Sequence, residues 1–411
     1  TILAGNTVTF GSRPDLSGSL ASLGHNLIGN TSGGSGFHAT DLLNVNPLLG
    51  PLQDNGGPTL THALLAGSPA IEAGNPALPG SGGNACEAAD QRGISRPRGL
   101  ACDIGAFEVD DPAQTGPVFT VIATVGTNDD VDDGVCSFAH CSLREAIHAA
   151  NARPNGAAPD EIHFNLTGVS PFTLMLTSAL PTITGPVIID GTTQPGGTVT
   201  LDGSSAGASA DCLTISGGNS TVRGLVIRRC AGNGILLTTN GDNLVEDNTI
   251  TLNGAAGVRV TSGAGNEIRS NLIFANGGLG IDLGGDGVTP NDTGDPDTGA
   301  NNLQNFPVVI RAIPGSGSTT IEGRLNSAAN TTFTLEFFAN ATCDPAGFGE
   351  GETLLGSTSV TTDSRGDASF QTTVPSAAQF VSATATDANG NTSEFSQCVR
   401  VGPGNDAWTS A

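Results

Sequence analysis

The central part of the chain repeats one pattern of apolar and polar positions, with 23 residues separating Val222 from Val245 and Val245 from Ile268. Within each copy apolar and polar residues alternate, which is typical of short strands rather than of a helix. Gly and Asn separate the strands, as turns require. A repeat of this length predicts a parallel β-helix whose coils stack about 4.8 Å apart around an aliphatic interior. The aligned columns are Val222, Val245 and Ile268; Ile227, Ile250 and Ile273; Gly234, Gly257 and Gly280; Ile235, Val258 and Ile281; and Leu237, Val260 and Leu283.

Polar residues also fall into register. Asn248 and Asn271 occupy the same turn of successive coils, where an Asn side chain stabilises the stack by bonding to its neighbour. Charged residues that directly follow an inward aliphatic predict outward columns of alternating sign. These columns are Arg223, Glu246 and Arg269, and Arg259 over Asp282.

The pattern divides the chain into five segments. Residues 1–110 are interpreted as the closing coils and cap of a β-helix, and residues 111–118 as a linker. Residues 119–300 predict a short helix followed by the β-helix, and residues 301–402 predict seven short strands of an immunoglobulin-like or fibronectin-III-like sandwich. Residues 403–411 are a tail that we expect to lead into a further module. Because the first residues already have a strand-like pattern, we expect the chain to be a segment of a larger protein.

A helix is predicted just before the solenoid. Ser142 and Glu145 form a capping box that opens it, and Pro154 ends it. We expect its apolar face to cover the first coil, whose edge would otherwise be open to strand pairing.

Composition narrows the classes of function. The formal net charge is −24, and all 15 basic residues are Arg. This charge argues against nucleic acid and anionic membranes as partners, because phosphate neutralisation needs clustered cations. The sequence shows no apolar run long enough to span a bilayer, no signal peptide and no lipidation motif.

The 8 cysteines favour four disulfides in an oxidising, extracellular compartment, because they fall into pairs with none left over. The expected pairs are Cys86–Cys102, Cys136–Cys141, Cys212–Cys230 and Cys343–Cys398.

Three strings near the end of the first segment carry a resemblance. They are GSPAIEAG, DQRGISRP and CDIGAFE, and residues 20–108 resemble the C-terminal end of bacterial surface proteins of the choice-of-anchor Q type. The resemblance implies a right-handed β-helix in a large, exported, modular protein, and it implies no catalytic residue.

The string CSLREAIHAAN closely resembles the CSLREA domain, here over about residues 119–153. That domain precedes β-helices in exported bacterial proteins. The resemblance implies location and architecture rather than chemistry.

A polysaccharide lyase or glycoside hydrolase is the first alternative, because parallel β-helices include such enzymes. Their sites need convergent carboxylates, or calcium with a basic residue, on one outer face. We interpret the candidate groups as salt-bridge ladders on a solvated face rather than as a catalytic site. Three regular coils also leave little room for the long substrate groove that such enzymes have. The candidate groups are Glu246, Asp247 and Asp282 beside Arg223, Arg228, Arg259 and Arg269.

Calcium is the favoured metal hypothesis, because two loops are rich in carboxylates and a hard cation prefers oxygen ligands. Neither loop has EF-hand spacing, and acidic turns are commonly just solvated. The candidate ligands are Asp129, Asp130, Asp132 and Asp133 in the first loop, and Asp286, Asp292, Asp295 and Asp297 in the second.

Zinc bound by Cys136, His140, Cys141 and His148 is an alternative interpretation of the region before the helix. Pairing of the two cysteines in a disulfide is the preferred interpretation.

The sequence therefore predicts a non-enzymatic, extracellular structural or adhesive protein without a catalytic site or cofactor other than calcium. It is expected to be a rod of β-helix modules with a sandwich spacer. Its partners would be a neighbouring copy, joined head to tail in an open-ended filament, or other surface components and carbohydrate. A calcium-dependent carbohydrate-binding adhesin is the third class considered.

Overall fold

The computed structural model confirms an all-β fold that contains a right-handed parallel β-helix, one short helix and an immunoglobulin-like sandwich. It describes residues 1–7, 15–65, 68–98, 101–109, 114–123, 130–132, 134–137, 140–156, 158–376 and 379–402. Asp129, Asp133 and the tail 403–411 lie outside these residues. The chain forms two compact units, Thr1–Ala113 with Asp133–Ala139, and Gln114–Asp132 with His140–Ala411.

The first unit contains short parallel pairings that resemble coils, followed by a hairpin. β1, β3 and β5 form one parallel sheet, β2 pairs with β4 in parallel, and β6 pairs with β7 in an antiparallel arrangement. Its core includes Leu27, Leu64, Ala70 and Ile104. The strands are β1 Ile2–Leu3, β2 Ser17–Ser19, β3 Leu27–Ile28, β4 Gly33–Ser35, β5 Leu42–Leu43, β6 Leu49–Gln53 and β7 Thr61–Leu64.

The second unit begins with the solenoid, whose strands form three parallel sheets. Their orders are β8-β9-β11-β14-β17-β20, β10-β12-β15-β18-β21 and β13-β16-β19-β22. The strands are β8 Val118–Val121, β9 Asp160–Phe164, β10 Phe172–Met175, β11 Val187–Asp190, β12 Val199–Asp202, β13 Leu213–Ile215, β14 Thr221–Arg223, β15 Leu225–Arg228, β16 Ile235–Leu237, β17 Leu244–Glu246, β18 Thr249–Thr251, β19 Val258–Val260, β20 Glu267–Arg269, β21 Leu272–Phe274 and β22 Ile281–Leu283.

The register confirms the predicted aliphatic stack. Val222 pairs with Val245, and Val245 pairs with Ile268. These three side chains are buried, as are the other predicted aliphatic columns. Each buried side chain of this kind contributes about 1.5–3 kcal/mol to folding, so the columns are the main source of stability of the solenoid.

The aligned glycines are required by the close packing of neighbouring coils rather than by the conformation of a turn. A Cβ at Gly257 would lie 2.4 Å from Ile273 Cγ2 and 2.7 Å from the Gly280 carbonyl oxygen of the next coil. The same position of the preceding coil, Gly234, is blocked in the same way by Ile250 and Gly257. The close approach of neighbouring coils therefore excludes any side chain here.

The helix α1, Leu143–Ala152, has the predicted capping box between Ser142 and Glu145. Its buried face packs against β8 and β9 at the start of the solenoid. The Asn151 amide accepts from Thr184 N–H at 2.8 Å and donates to the Thr182 carbonyl oxygen at 2.8 Å, which fastens the helix to an early coil. Two short 3₁₀ helices occupy Gly191–Thr193 and Ala300–Leu303.

The sandwich follows in the same compact unit. One sheet has the order β23-β24-β27 and the other β26-β25-β28-β29. Phe333, Leu335, Phe337 and Val381 are among the buried residues between the sheets. The strands are β23 Val308–Pro314, β24 Ser318–Asn326, β25 Thr332–Asn340, β26 Thr353–Thr361, β27 Asp367–Pro375, β28 Phe380–Thr386 and β29 Val399–Arg400.

Candidate functional site

The outward charges of the solenoid form a column of alternating sign. Arg223 bonds to Asp190 at 2.6 Å and lies 3.9 Å from Glu246, and Arg269 bonds to Glu246 at 2.7 Å. Burial by itself would raise the pKa of Asp190, but hydrogen bonds from Arg223 and Thr192 outweigh it and hold that pKa below its usual value. The column is therefore internally neutralised, and its carboxylates face arginines rather than one another.

The other two sheets carry similar pairs. Asp202 accepts from Arg228 at 3.0 Å and from Arg229 at 3.1 Å. Asp282 lies under Arg259, with 3.9 Å between the charged groups, and burial raises the pKa of Asp282 while Arg259 partly offsets that effect. The residues considered for polysaccharide chemistry thus lie on different faces of the solenoid.

Asparagine side chains connect the coils from inside the turns. The Asn248 side-chain N–H donates to Asn271 Oδ1 at 3.0 Å, and Asn248 Oδ1 accepts the Leu225 backbone N–H at 3.1 Å. Asn253 donates its backbone and side-chain N–H groups to Asn276 Oδ1, both at 3.1 Å. A third ladder runs from Asn243 through Asn266 to Asn301. These amides satisfy turn backbone groups that would otherwise be buried without partners.

The sandwich covers the last coil, and we call the contact surface the seam. The solenoid side consists of β20–β22 with Gly265, Ser270, Ala275, Asn276, Gly280 and Thr289. The sandwich side consists of Glu336, Glu350, Gly351, Asn391, Thr392, Glu394 and Phe395. Ile273 and Gly351 exchange backbone hydrogen bonds of 2.8 and 2.6 Å. This antiparallel bridge extends the sheet that ends with β21.

The sandwich side of the seam imitates a further coil. A Cβ added to Gly257 would meet Ile273 of the next coil, whereas a Cβ added to Gly280 would lie 2.8 Å from ring carbons of Phe395. Phe395 therefore occupies the place that an aliphatic side chain of a further coil would take. The Thr392 hydroxyl accepts the Ile268 N–H at 2.9 Å, and Asn391 Oδ1 accepts the Gly265 N–H at 2.7 Å. The backbone donors of the last coil are thereby satisfied without another repeat.

Three glutamates of the sandwich accept from the last coil. Glu336 accepts the Ser270 N–H, Glu350 accepts the N–H groups of Ala275 and Asn276, and Glu394 accepts those of Leu283 and Thr289. Burial raises the pKa of each of Glu336 and Glu350, and it raises the pKa of Glu394 to about 7.

The sequence does not reveal these glutamates as partners of the solenoid. They lie 66 to 111 residues from the groups they contact and belong to no repeat. The available signal is indirect, since a terminal coil must have its N–H groups accepted by something.

The second acidic loop contains a carboxylate cluster. One oxygen each of Asp292, Asp295 and Asp297 lies within 4.8 Å of the others, and Asp286 is outside this group. The Oδ1 atoms of Asp292 and Asp297 are buried without a hydrogen-bond partner. Burial and the neighbouring carboxylates raise the pKa values of Asp295 and Asp297. This concentration of negative charge suits a hard divalent cation.

The first acidic loop is different, because Asp130 has a structural partner. Its Oδ2 accepts from Arg144 at 2.6 Å and from the Thr177 N–H at 2.8 Å, so the carboxylate joins helix α1 to a coil. A guanidinium at this distance disfavours a cation on the same oxygen. Asp132 lies 3.4 Å from His148 on the surface.

The cysteines are disulfide-bonded. The structure contains Cys86–Cys102, Cys212–Cys230 and Cys343–Cys398, and Cys136 and Cys141 are also in disulfides. Thiolates are needed to bind zinc, so the zinc alternative at Cys136 and Cys141 is wrong.

In the first unit, the strings that carry the choice-of-anchor resemblance form a buried ionic network. Glu108 accepts from the Asp103 N–H at 2.9 Å and pairs with Arg96 at 3.1 Å, and Asp90 pairs with Arg92 at 2.8 Å. Burial raises the pKa of Asp103 to about 6. These residues therefore hold the fold of the unit together.

A surface cleft of about 620 Å³ opens beside the seam, lined in part by Asn276, Asp282 and Asp344. Its volume is within the range of small-molecule sites. Its lining combines these polar side chains with glycines and with the apolar residues Leu279, Val288, Pro345 and Ala346.

Comparison with known proteins supports the fold. Residues 181–292 match the family model described as a right handed beta helix region. A search of the curated proteins found no match. Among the described residues, no helix is long and apolar enough to cross a membrane.

Proposed function

We propose that this chain is part of an exported, modular cell-surface protein with a structural or adhesive role. The carrying observation is the continuity of the second unit, in which asparagine ladders, neutralised charge columns and the seam connect each coil to the next and the last coil to the sandwich. Such interlocking favours a stiff spacer. The disulfides suit an oxidising compartment, and the resemblances to the CSLREA and choice-of-anchor Q segments suit export.

Self-association is part of the proposal. The last coil of the solenoid is covered by Phe395 and the seam glutamates, so a head-to-tail filament would use other surfaces, such as β1 of the first unit. Electron microscopy and light scattering of the full chain over a concentration series test this. Filaments or a concentration-dependent mass support assembly, and a monomer at every concentration refutes it.

A polysaccharide-degrading enzyme is the competing class. Screening against uronic-acid polymers and neutral glycans, with the wild type beside Glu246→Gln and Asp282→Asn variants, separates it from a structural role. Turnover that either substitution abolishes without unfolding the protein would overturn the non-enzymatic proposal. We expect no turnover, because both carboxylates are engaged by arginines.

Calcium-dependent adhesion is the second candidate, favoured by the cluster of Asp292, Asp295 and Asp297 and its two buried oxygens without partners. The cluster lies in the connection between solenoid and sandwich, so calcium there would stiffen that connection. Glycan-array binding with calcium and with chelator tests the adhesive part. Binding that is lost in chelator supports it, and calcium-independent or absent binding contradicts it.

A further inference from the structure

A serine, a glutamine and an aspartate meet where the connection after the solenoid contacts the sandwich. The Gln304 side-chain amide donates to the Ser327 hydroxyl oxygen at 2.9 Å. Asp295 Oδ2 accepts from both groups, from the Gln304 amide at 2.7 Å and from the Ser327 hydroxyl. Ser327 is fully buried, and Gln304 is 7 % exposed. A nucleophile, a proton acceptor and a carboxamide therefore share one site from which water is largely excluded.

Neighbouring hydrogen bonds hold the hydroxyl and the carboxamide against each other. Asn305 directly follows Gln304, and its side-chain amide donates at 2.9 Å to the carbonyl oxygen of Asn326. Asn326 directly precedes Ser327, whose backbone N–H donates to the Gly366 carbonyl oxygen at 2.9 Å. Because Gln304 Nε2 is bonded directly to the carboxamide carbon, that carbon lies within about 4.2 Å of the Ser327 oxygen. The two groups are thus oriented for an intramolecular reaction.

We propose that Ser327 and Gln304 form an ester cross-link between the sandwich and the connection that precedes it, with Asp295 as the proton relay. The serine oxygen attacks the carboxamide carbon while its proton passes to Asp295 Oδ2. Since the same oxygen contacts the amide nitrogen, it then gives that proton to the nitrogen as the C–N bond breaks. One ester bond forms, one amide bond breaks and one ammonia is released, and the carboxylate ends the step in the state in which it began.

The site favours both the reaction and its product. Well-oriented intramolecular groups react as if their effective concentration were about 10⁵–10⁸ M. The ammonia that leaves is protonated and diluted in the solvent, which carries the exchange of amide for ester forward. Burial of Ser327 keeps water from hydrolysing the ester. The cross-link would join residues 23 apart in the chain and would restrict the unfolded state as a disulfide does.

Mass spectrometry of the full chain, with its disulfides reduced, tests the cross-link. We expect a mass about 17 Da below that of the unmodified chain, because one ammonia is lost. A succinimide at an Asn-Gly step loses the same mass, so tryptic peptides make the assignment. Residues 270–311 should be joined to residues 325–365, and dilute alkali should separate them and leave a glutamate at position 304. Separate peptides with Gln304 unchanged after prolonged incubation would overturn the proposal.

Substitutions assign the role of each residue. Ser327→Ala should abolish the cross-link because it removes the nucleophile, and a linkage that persists in this variant would refute the assignment. If Ser327→Ala does not fold, Gln304→Glu decides, because it removes the departing amide. Asp295→Asn should slow the linkage by about 10²–10⁴-fold, and an unchanged rate would refute the relay. Gln371→Ala is the matched control, since Gln371 donates to Glu322 on the sandwich surface, and it should keep the full linkage.

Discussion

Asn276 donates both its backbone N–H and its side-chain N–H to one oxygen of Glu350, over 3.1 and 3.2 Å. Asn253 makes the same pair of bonds to Asn276, one coil earlier. Glu350 therefore takes the place of the asparagine that a further coil would supply. The ladder continues from the solenoid into the sandwich without a break.

Removing this acceptor should destabilise the protein. In Glu350→Ala the N–H groups of Ala275 and Asn276 lose their acceptor, and we expect a loss of about 2–3 kcal/mol in the free energy of unfolding. Urea unfolding followed by circular dichroism measures it. Glu352→Ala is the matched control, because Glu352 accepts one exposed N–H, that of Ala341, and should cost under about 1 kcal/mol. Equal losses in the two variants would contradict a special role for Glu350.

The middle of an asparagine ladder should be equally sensitive. Asn248→Ala removes the acceptor of the Leu225 N–H and a donor to the Val222 carbonyl inside the solenoid, and we expect it to cost about 2–4 kcal/mol. Asn240→Ala removes an exposed amide that bonds to the Ser216 carbonyl and should cost under about 1 kcal/mol. Thermal and urea unfolding compare the two variants. If Asn248→Ala lowers the free energy of unfolding no more than Asn240→Ala does, the ladder contributes little to stability.

Calcium should stabilise the second acidic loop. Calcium would relieve the repulsion among Asp292, Asp295 and Asp297, so millimolar calcium should raise the melting temperature and chelator should lower it. The effect should weaken at acid pH, because protons compete for carboxylates whose pKa values are raised. Calorimetry and thermal scans measure both.

The control for the calcium prediction is Asp286→Asn, which lies outside the cluster and should retain the response. Asp297→Asn should remove most of it. If calcium leaves the melting temperature of the wild type unchanged, the proposed calcium site is ruled out.

A corner of the solenoid stores backbone strain that can be relieved. Leu252 has φ of 59° and is 52 % exposed, and a side chain in this left-handed region costs about 1–2 kcal/mol. Leu252→Gly should therefore be neutral or raise stability by up to about 1 kcal/mol, after the entropy cost of glycine. Thr249→Gly in the adjacent strand β18 should instead lower stability. Urea midpoints compare the variants, and a clear loss in Leu252→Gly would mean that its apolar contacts outweigh the strain.

The repeat could be predicted from the sequence, because a coil that packs on a neighbouring coil must have the same types of side chain at the same positions. The stacked aliphatics, the Asn248–Asn271 ladder and the charge column through Glu246 all follow from this constraint. The capping box of α1 was also readable, because it depends on Ser142 and Glu145 three residues apart.

Other features depend on contacts that no local pattern encodes. The sequence marked Asp130 as a metal ligand, but folding brings Arg144 and Thr177 to it. It grouped Asp286 with Asp292, Asp295 and Asp297, but only the last three converge.

The sequence by itself determined the solenoid, the sandwich and the inward and outward columns, because period and alternation fix which side chains meet within a module. Only the tertiary structure decided how the solenoid ends. Glu336, Glu350 and Glu394 reach the last coil across 66 to 111 residues. The physical reason is that a terminal coil needs acceptors for its N–H groups, and any surface that presents oxygens in the right places can supply them, whatever its position in the chain.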